Sequence, residues 1–539
     1  MTPSSAAPPP PTGNLRKSAF DRFLNGIEWL GNLLPHPVTL FALLSLFIVL
    51  LSGLLGAFGL SVEDPRPAGA PGRAANGMIE VVSLLNAAGL RRIIENLVAN
   101  FAGFVPLGTV LVAMLGVGVA ERSGLLSAAI RALVLQAPKK LVTAAVVFAG
   151  VLSNTASEMG YVVLIPLGAA IFHSLGRHPL AGLAAAFAGV SGGYSANLLL
   201  GTVDPLLSGI TEAAARIIDP VYVVHPAVNW YFMFTSTFVI TALGTWVTLA
   251  IVEPRLGPYD AGQGESGLDE NQRLQPLTPL ERRALRGAGL AVLALTALVL
   301  LMVIPPWGAL RQPGASDTIA AITPVLRGIV ALVFVFFVVP GFVYGRITGV
   351  MKNDRDVIDA MAKAMSTLGL YIVLVFFAAQ FVAFFAWTQL GQITAVLGAQ
   401  FLQEIGLTGP LVFLPYIVMC MIINLSLGSA SAQWAVTAPI FVPMLMLVGY
   451  SPEVIQAAYR IGDSTTNIIT PMMSYFGLIL AFAARYVKDL GIGTLIATML
   501  PYSLVFSVGW IAWFFIWVFL LGMPVGPGAP TDYPAPALP

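Results

Sequence analysis

The chain has 539 residues, of which 57% are hydrophobic and only 10% are charged, whereas about 25% of the residues of an ordinary soluble domain are charged. This composition indicates a protein dissolved in lipid and argues against a water-soluble fold. The net charge of +1 gives no reason to expect a nucleic-acid partner. The single cysteine, Cys420, cannot form an intrachain disulfide, and the histidines offer no pair at metal-ligand spacing. We therefore expect no cofactor beyond a coupling ion, Na⁺ or H⁺.

The apolar runs predict an all-α membrane protein. Residues 1–37 begin with many Pro, Ser and Ala residues and predict a disordered cytoplasmic tail. Residues 38–520 predict a single membrane domain, because a run of about 20 apolar residues is long enough to cross a bilayer. We expect nine spans, followed by a Pro-rich tail over 521–539: 38–60, 101–120, 179–203, 228–252, 287–305, 324–345, 364–388, 454–486 and 492–520.

Two further apolar stretches, 141–175 and 410–449, carry polar residues in their middle. Their halves are short for a membrane crossing, so we expect two re-entrant hairpins that enter and leave on the same side. Two of the spans are also interrupted, at 192–197 and 462–467. Non-helical backbone at membrane depth must be satisfied by protein or water. The hairpin tips and the broken spans are therefore expected to surround a cavity.

The positive-inside rule predicts that the N-terminus is cytoplasmic, because most of the 27 lysines and arginines then lie on the cytoplasmic side. The loop that holds Arg66, Arg73, Arg91 and Arg92 faces outward in this topology and does not fit the rule. Long loops are translocated across the membrane with little regard for charge, so these four arginines do not contradict the predicted topology.

In this topology the two hairpins enter from opposite sides, which is typical of inverted repeats with a substrate site at the midplane. Each predicted repeat holds one hairpin: 101–252 contains 141–175, and 364–520 contains 410–449. The same spacing separates one asparagine pair in each repeat, Asn154 and Asn197 in the first and Asn424 and Asn467 in the second.

The tips and breaks are rich in Ser, Thr, Asn and Gly. Glycine allows the backbone to unwind, which frees carbonyl oxygens, and the other side chains add neutral oxygens that can coordinate a monovalent cation. Alternatively, these residues only cross-link helices. The pattern predicts two candidate sodium sites, one at Ser153, Asn154, Gly193 and Asn197 and the other at Asn424, Ser429, Thr465 and Asn467.

Ionisable residues within the membrane are a sharper signal, because an ionised group at the bilayer centre costs at least ~3 kcal/mol. Arg460 and Asp463 lie three residues apart on one helical face, so we expect them to pair. The pair is either purely structural, or Arg460 attracts a carboxylate or sulfonyl group while Asp463 binds a cation or a proton. Asp204 and Glu158 are further candidates, although Glu158 alternatively reaches the cytoplasmic basin.

Trp434 lies well inside an apolar stretch, away from the interfacial belt where tryptophan is common. It is either part of the core or a platform for an aromatic substrate ring. Pro471 cannot donate a backbone hydrogen bond, so it is expected to help hold the second broken span open.

Four segments around these residues resemble the p-aminobenzoyl-glutamate transporter (AbgT) family, within a superfamily that includes sodium-coupled dicarboxylate carriers. They read SNTASEMGYVVLIPLG (153–168), GGYSANLLLGTVDPLLSGIT (192–211), NLSLGSASAQWAVTAPIFVPML (424–445) and YRIGDSTTNIITPMMSYF (459–476). The resemblance implies a homodimer, a basin open to the cytoplasm and a substrate site near the hairpin tips. It also implies functional positions at Asp204, Asn424, Ser431, Trp434, Pro452, Arg460, Asp463 and Pro471.

We therefore expect an elevator-type secondary transporter of the bacterial inner membrane, in which the hairpins and broken spans slide against the other spans. The resemblance implies p-aminobenzoyl-glutamate and related aromatic anions as substrates, together with export of sulfonamide antimetabolites, driven by a proton or sodium gradient. A sodium-coupled carrier of another anion, such as a dicarboxylate, is the alternative. The sequence leaves the direction and the coupling ion open. An intramembrane enzyme is not expected, because no HExxH motif occurs and the four histidines lie near span ends. An ATP-driven pump is not expected either, because no GxxxxGK[ST] loop occurs.

Overall fold

The structure is a computed structural model that describes residues 35–67, 69, 73–156, 160–259, 276–315, 317–488 and 490–534. Most of the predicted N-terminal tail, Glu158 at the predicted first tip and the last five residues lie outside the described residues. The described chain is almost entirely helical, as the apolar runs predict. A small antiparallel sheet pairs β1 (Ser61–Glu63) with β2 (Met78–Glu80) in the first long loop.

The helices of the first half are α1 (Pro37–Ala57), α2 (Ala87–Ala102), α3 (Val105–Arg122), α4 (Leu125–Leu135), α5 (Val142–Ser153), α6 (Ile165–Ser174), α7 (Pro179–Phe187), α8 (Val203–Ala215), α9 (Trp230–Val247) and α10 (Glu253–Leu256). Those of the second half are α11 (Pro279–Val303), α12 (Thr318–Arg327), α13 (Ile329–Thr348), α14 (Asp354–Thr367), α15 (Gly369–Trp387), α16 (Leu390–Glu404), α17 (Phe413–Leu427), α18 (Ala430–Val448), α19 (Pro452–Asn467), α20 (Phe476–Ala484) and α21 (Ile492–Phe514). Short π-helical turns extend α7 (Ala188–Gly192), α9 (Thr248–Val252) and α21 (Phe515–Leu520) and precede α6 (Gly160–Leu164).

Within the described residues, nine helices are long and apolar enough to cross a membrane. The number equals the prediction, but the members differ. Each arm of the predicted second hairpin is long and apolar enough to cross a membrane, whereas the predicted broken spans at 179–203 and 454–486 are not. The nine are Pro37–Ala57, Ala87–Arg122, Trp230–Leu256, Pro279–Val303, Ile329–Thr348, Gly369–Trp387, Pro410–Leu427, Ala430–Val448 and Ile492–Leu520.

The predicted hairpin tips are sites where helices end. Helix α5 ends at Ser153 and a short 3-10 turn follows, so we call residues 153–156 the first tip. Helix α17 continues to Leu427, and α18 begins at Ala430. The second tip is therefore only Gly428 and Ser429. Gly428 has a left-handed φ of 55°, which glycine adopts without steric cost.

The two broken spans differ from each other. After the π-helical turn that extends α7, residues 193–202 are not helical, so the predicted first break is confirmed and we keep that name for them. The predicted break at 462–467 is wrong, because α19 runs unbroken to Asn467. The hydroxyls of Thr465 and Thr466 donate to carbonyls four residues earlier and so fit within a helix. The second break is instead residues 468–475, with Pro471 inside it.

Helix α19 lies at the centre of the molecule, and all of its residues are buried. Ser451 caps its first turn and Pro452 occupies its first position, as helix-start preferences predict. It packs against α8, α17, α18 and α21. Because a buried polar helix must find its hydrogen-bond partners within the protein, these neighbours determine what its side chains can do.

A second group of helices packs around α3, which contacts α13 and α14, while α11 packs on α13 and α1 packs on α15. Contacts between α3 and α8 and between α16 and α18 join this group to the helices around α19. Of the residues of α11, only Ala284 and Ala288 are buried against the rest of the described chain.

Candidate functional site

A cavity of about 220 Å³ lies where both tips and both breaks meet. The sequence predicted such a meeting point, and the structure confirms that these segments come together. Asparagine, hydroxyl and tyrosine side chains dominate its wall, and none of the described residues that line it is charged. The wall includes Asn154, Tyr161, Tyr194, Thr202, Ser429, Ser431, Asn467 and Tyr475.

The first tip and the first break are joined by a hydrogen bond of 2.9 Å from the Thr155 hydroxyl to Asn197 Oδ1. Ser153 donates to the carbonyl of Gly150, within its own helix. Gly193 allows close packing, since a Cβ there would lie 2.7 Å from the carbonyl oxygen of Gly189. Of the predicted first cation site, Asn197 already has a partner, whereas neither polar atom of the Asn154 side chain finds one among the described residues.

The second predicted cation site is organised by Asn424. Its amide nitrogen lies 2.6 Å from the backbone carbonyl of Asp463, 2.9 Å from the Thr466 hydroxyl and 2.9 Å from Asn467 Oδ1. Its own oxygen, Oδ1, has no donor among the described residues. Thr465 is not part of this cluster, because its hydroxyl donates to the Ile461 carbonyl within α19.

Ser429 in the second tip and Ser431 in the first turn of α18 lie side by side. Ser429 caps α18 by accepting from the backbone N–H of Ala432, and its hydroxyl is 3.4 Å from that of Ser431. Both residues line the cavity. Their hydroxyls therefore place hydrogen-bonding groups on this side of the cavity, next to the N-terminal end of α18.

The expected pairing of Arg460 with Asp463 is wrong. Arg460 Nη2 donates instead to Asp204 Oδ1 at 2.7 Å, and both side chains are almost completely buried. Asp204 also accepts from the backbone N–H of Gly201 at 2.7 Å, which fixes its carboxylate at the start of α8. The partner therefore comes from a neighbouring helix in the other half of the chain, which helical spacing cannot reveal.

Asp463 is completely buried, and neither of its carboxylate oxygens has a hydrogen-bond partner among the described residues. An ionised carboxylate without a partner is costly to bury, so this group requires a proton or a cation. Among the described residues, no cluster of three or more His, Cys, Asp or Glu side chains could hold a metal ion.

Trp434 is fully buried, and its ring stacks on Tyr459 with centroids 4.2 Å apart. Its indole nitrogen donates to the Thr211 hydroxyl at 2.9 Å. Both the ring of Trp434 and its indole N–H therefore have partners inside the protein, which agrees with the alternative that Trp434 is part of the core. Trp434 does not line the cavity.

The two prolines implied by the resemblance lie far apart. Pro471 lies in the second break, as its missing N–H predicts. Pro452 lies at the first position of α19, and a helix of that length places it about 22 Å from Asn467 at the cavity end. In this structure Pro452 contributes to the start of α19.

Sequence reasoning missed the residues that connect α19 to its neighbours. Asn229 accepts from Gln456 Nε2 at 2.7 Å and from Arg460 Nε at 3.1 Å, and it donates to the carbonyl of Glu453. Thr211 donates to Gln456 Oε1 at 2.6 Å. The repeated polar residues at 453, 456, 460 and 463 form a stripe that could have indicated a polar network around α19.

This arrangement defines a class of protein: a multi-pass helical membrane protein whose two halves meet at a polar cavity, which is the architecture of a membrane transporter. The chain belongs to the AbgT putative transporter family, whose model matches residues 22–533. It is therefore a transporter and not an enzyme.

Known relatives cover nearly the whole chain. It is 39% identical over 502 residues to the p-aminobenzoyl-glutamate transport protein of Escherichia coli strain K12, which covers 93% of this chain and 95% of that protein. Among solved structures it is similar to Neisseria gonorrhoeae MtrF, described as illuminating a class of antimetabolite efflux pumps, with 61% identity, a TM-score of 0.88 and coverage of 94% of this chain and 100% of that one. It is also similar to the Alcanivorax borkumensis YdaH transporter, described as having an unusual topology, with 45% identity, a TM-score of 0.83 and coverage of 92% and 100%.

Proposed function

We propose that the protein is a secondary active transporter of p-aminobenzoyl-glutamate and related aromatic anions, and that it also exports sulfonamide antimetabolites. The observation that carries the proposal is the cavity in which both tips and both breaks meet. Its wall offers hydrogen-bond groups and tyrosine rings, which suit a polar aromatic molecule. The E. coli relative is named for p-aminobenzoyl-glutamate transport, and the structure of MtrF is described in terms of antimetabolite efflux.

A proton or sodium gradient drives this transport in our proposal. Asn154, Asn424 and Asp463 all carry buried oxygens without a donor among the described residues. Neutral and anionic oxygens are the ligands that a small hard cation prefers, and a lone carboxylate is also a proton acceptor. These three residues are therefore the proposed coupling groups, and the buried Arg460–Asp204 pair is proposed to hold α19 and α8 in register beside them.

We further propose an elevator-type motion in a homodimer of the bacterial inner membrane, with a cytoplasmic N-terminus. In support, the helices around α3 lie directly against those around α19, through the contact of α3 with α8. The sliding surface in this proposal is where α3 contacts α8 and where α16 contacts α18. The exposed surface of α11 is available for contact with either lipid or a second subunit.

The function is tested with purified protein in liposomes, by measuring flux of labelled p-aminobenzoyl-glutamate under an imposed proton gradient and, separately, an imposed sodium gradient. We expect flux under one of the gradients and its loss when an ionophore collapses that gradient. Sodium-dependent succinate uptake without p-aminobenzoyl-glutamate flux would overturn the proposal in favour of a dicarboxylate carrier.

Asp463→Asn is the sharpest variant for the coupling proposal. The amide keeps the shape of the side chain but can neither release a proton nor balance a cation, so we expect gradient-driven accumulation to fall to background. The protein should remain monodisperse in detergent. Asp359→Asn, which changes an exposed aspartate on α14, is the matched control and should transport normally. Normal accumulation by Asp463→Asn would remove this residue from the mechanism.

A further inference from the structure

Two tyrosines that were not among the predicted site residues form an aromatic pair at the cavity wall. Tyr161 and Tyr475 both line the cavity, and their rings stack with centroids 4.7 Å apart and an angle of 8° between the planes. Tyr161 follows the first tip, whereas Tyr475 ends the second break. The two halves of the chain therefore meet through a pair of parallel rings at the wall of the cavity.

Trp434, the residue that the sequence favoured as an aromatic platform, is unavailable for this role. Tyr459 covers its ring, Thr211 accepts from its indole nitrogen, and its side chain has no exposed surface. A substrate ring could reach it only if α18 separated from α19. Tyr161, which is 5% exposed, and the half-buried Tyr475 need no such separation, because both already line the cavity.

The remaining wall specifies the polar part of the ligand. Asn154, Asn467, Thr202 and Ser431 contribute neutral amide and hydroxyl groups. The nearby cation, Arg460, is buried and engaged by Asp204. A small aliphatic dicarboxylate would make no use of the tyrosine rings. A substrate with an aromatic ring and neutral hydrogen-bonding substituents, such as an amine, amide or sulfonyl group, would use both the rings and the polar groups of the wall.

We propose that Tyr161 and Tyr475 form the subsite that binds the aryl ring of the transported substrate. Aromatic rings prefer offset-stacked or edge-to-face contacts with centroids about 4.5–7 Å apart. A substrate ring that enters the cavity extends the existing stack, while its substituents meet the amides and hydroxyls of the cavity wall. This inference rests on the proposed transport of aromatic anions and adds the residues that select the ring.

The test compares Tyr161→Leu, Tyr475→Leu and the corresponding Phe variants in the liposome flux assay. The kinetic constants are measured with labelled p-aminobenzoyl-glutamate and with a sulfonamide, and N-acetylglutamate serves as a competitor without the ring. Stacking of one aromatic pair corresponds to roughly a 2- to 12-fold change in affinity. We expect each Leu variant to raise KM for both aromatic substrates by about that factor, with little change in kcat.

The Phe variants should keep a KM close to that of the unchanged protein, because phenylalanine stacks as tyrosine does. Tyr231→Leu, which alters a tyrosine on α9 outside the cavity wall, is the matched control and should leave KM unchanged. Inhibition by N-acetylglutamate should be equal in all variants. If the Leu variants do not yield monodisperse protein, Tyr161→Phe/Tyr475→Phe and Tyr475→Trp replace them, and tryptophan should lower KM.

Two results would overturn the inference in distinguishable ways. If the unchanged protein carries p-aminobenzoyl-glutamate and the Leu variants keep its KM, or lose kcat equally for every substrate, the tyrosines gate the cavity or only pack, and the function stands without them. If the unchanged protein carries neither aromatic compound, the proposed function fails and this inference fails with it.

Discussion

At the scale of single residues, the ion pair between Arg460 and Asp204 is held in place by several contacts. Both side chains are almost completely buried, and each has a second partner that fixes its position, Asn229 for the arginine and the Gly201 backbone for the aspartate. Such a pair adds little net stability compared with apolar residues, but the loss of one member is severe, because the other charge stays buried without a partner.

We predict that Asp204→Asn lowers the free energy of unfolding by about 3–5 kcal/mol, the range for breaking a buried pair. Chemical denaturation of the purified protein in detergent micelles measures this change. Arg355→Gln, at an exposed position on α14, is the control and should change the value by less than about 0.5 kcal/mol. Equal stability of Asp204→Asn and the unchanged protein would show that Arg460 finds another partner.

At the scale of elements, the position of the second break shows how packing overrides a local signal. The segment 462–466, with Gly462 followed by Asp, Ser and two Thr residues, favours an unwound chain, yet α19 is helical throughout. Gly462 serves instead for close approach to α17, since a Cβ there would lie 2.6 Å from Cys420 Cβ and 2.9 Å from the Ile417 carbonyl oxygen. Glycine at this position is therefore required by the contact between two helices and not by a turn.

Gly462→Ala should therefore destabilise the protein by about 1–3 kcal/mol, the range for overpacking a core. Gly477→Ala is the matched control, because this helical glycine on α20 has open space around it. There, alanine should be neutral or stabilising by up to about 1 kcal/mol, since it favours the helix. Thermal unfolding of both variants, compared in one detergent, separates the two effects. A neutral Gly462→Ala would mean that α17 moves away without cost.

At the scale of the whole molecule, residues 524–533 of the predicted Pro-rich tail fold back onto the protein. The Ser451 hydroxyl donates to the Pro530 carbonyl at 2.6 Å, and the backbone N–H of Phe232 donates to the Val525 carbonyl at 3.0 Å. The Tyr533 N–H donates to the Gly449 carbonyl at 2.8 Å. The segment thus ties the start of α9 to the turn between α18 and α19.

Truncation after Met523 should increase hydrogen exchange at the Phe232 and Ser451 amides, because both lose the carbonyl acceptors that Val525 and Thr531 provide. Hydrogen–deuterium exchange with mass spectrometry, on peptides that cover 228–235 and 446–453, measures the change. Truncation after Pro534 keeps these bonds and is the control. Unchanged hydrogen exchange after truncation at Met523 would show that the two amides stay protected without residues 524–533.

The sequence by itself determined the membrane character, most helices and the meeting of four polar segments, because apolar run length and helix-breaking residues are local properties. It located Asn154, Ser429 and Asn467 at one cavity, and Asn424 beside Asn467, for the same reason. It did not predict that each arm of the predicted second hairpin is long enough to cross a membrane. Helix length distinguishes a re-entrant hairpin from two membrane crossings only when the arms are clearly too short to cross.

Only the tertiary structure decided which partners the buried groups have. Arg460 pairs with Asp204, Trp434 packs on Tyr459, and Tyr161 stacks on Tyr475, and in the first and last of these pairs the two residues come from different halves of the chain. A helix's own periodicity lists neighbours three or four residues away, but in a protein core the nearest partner is set by how helices pack. That choice is invisible in the sequence, and it determines which side chains remain available to a substrate.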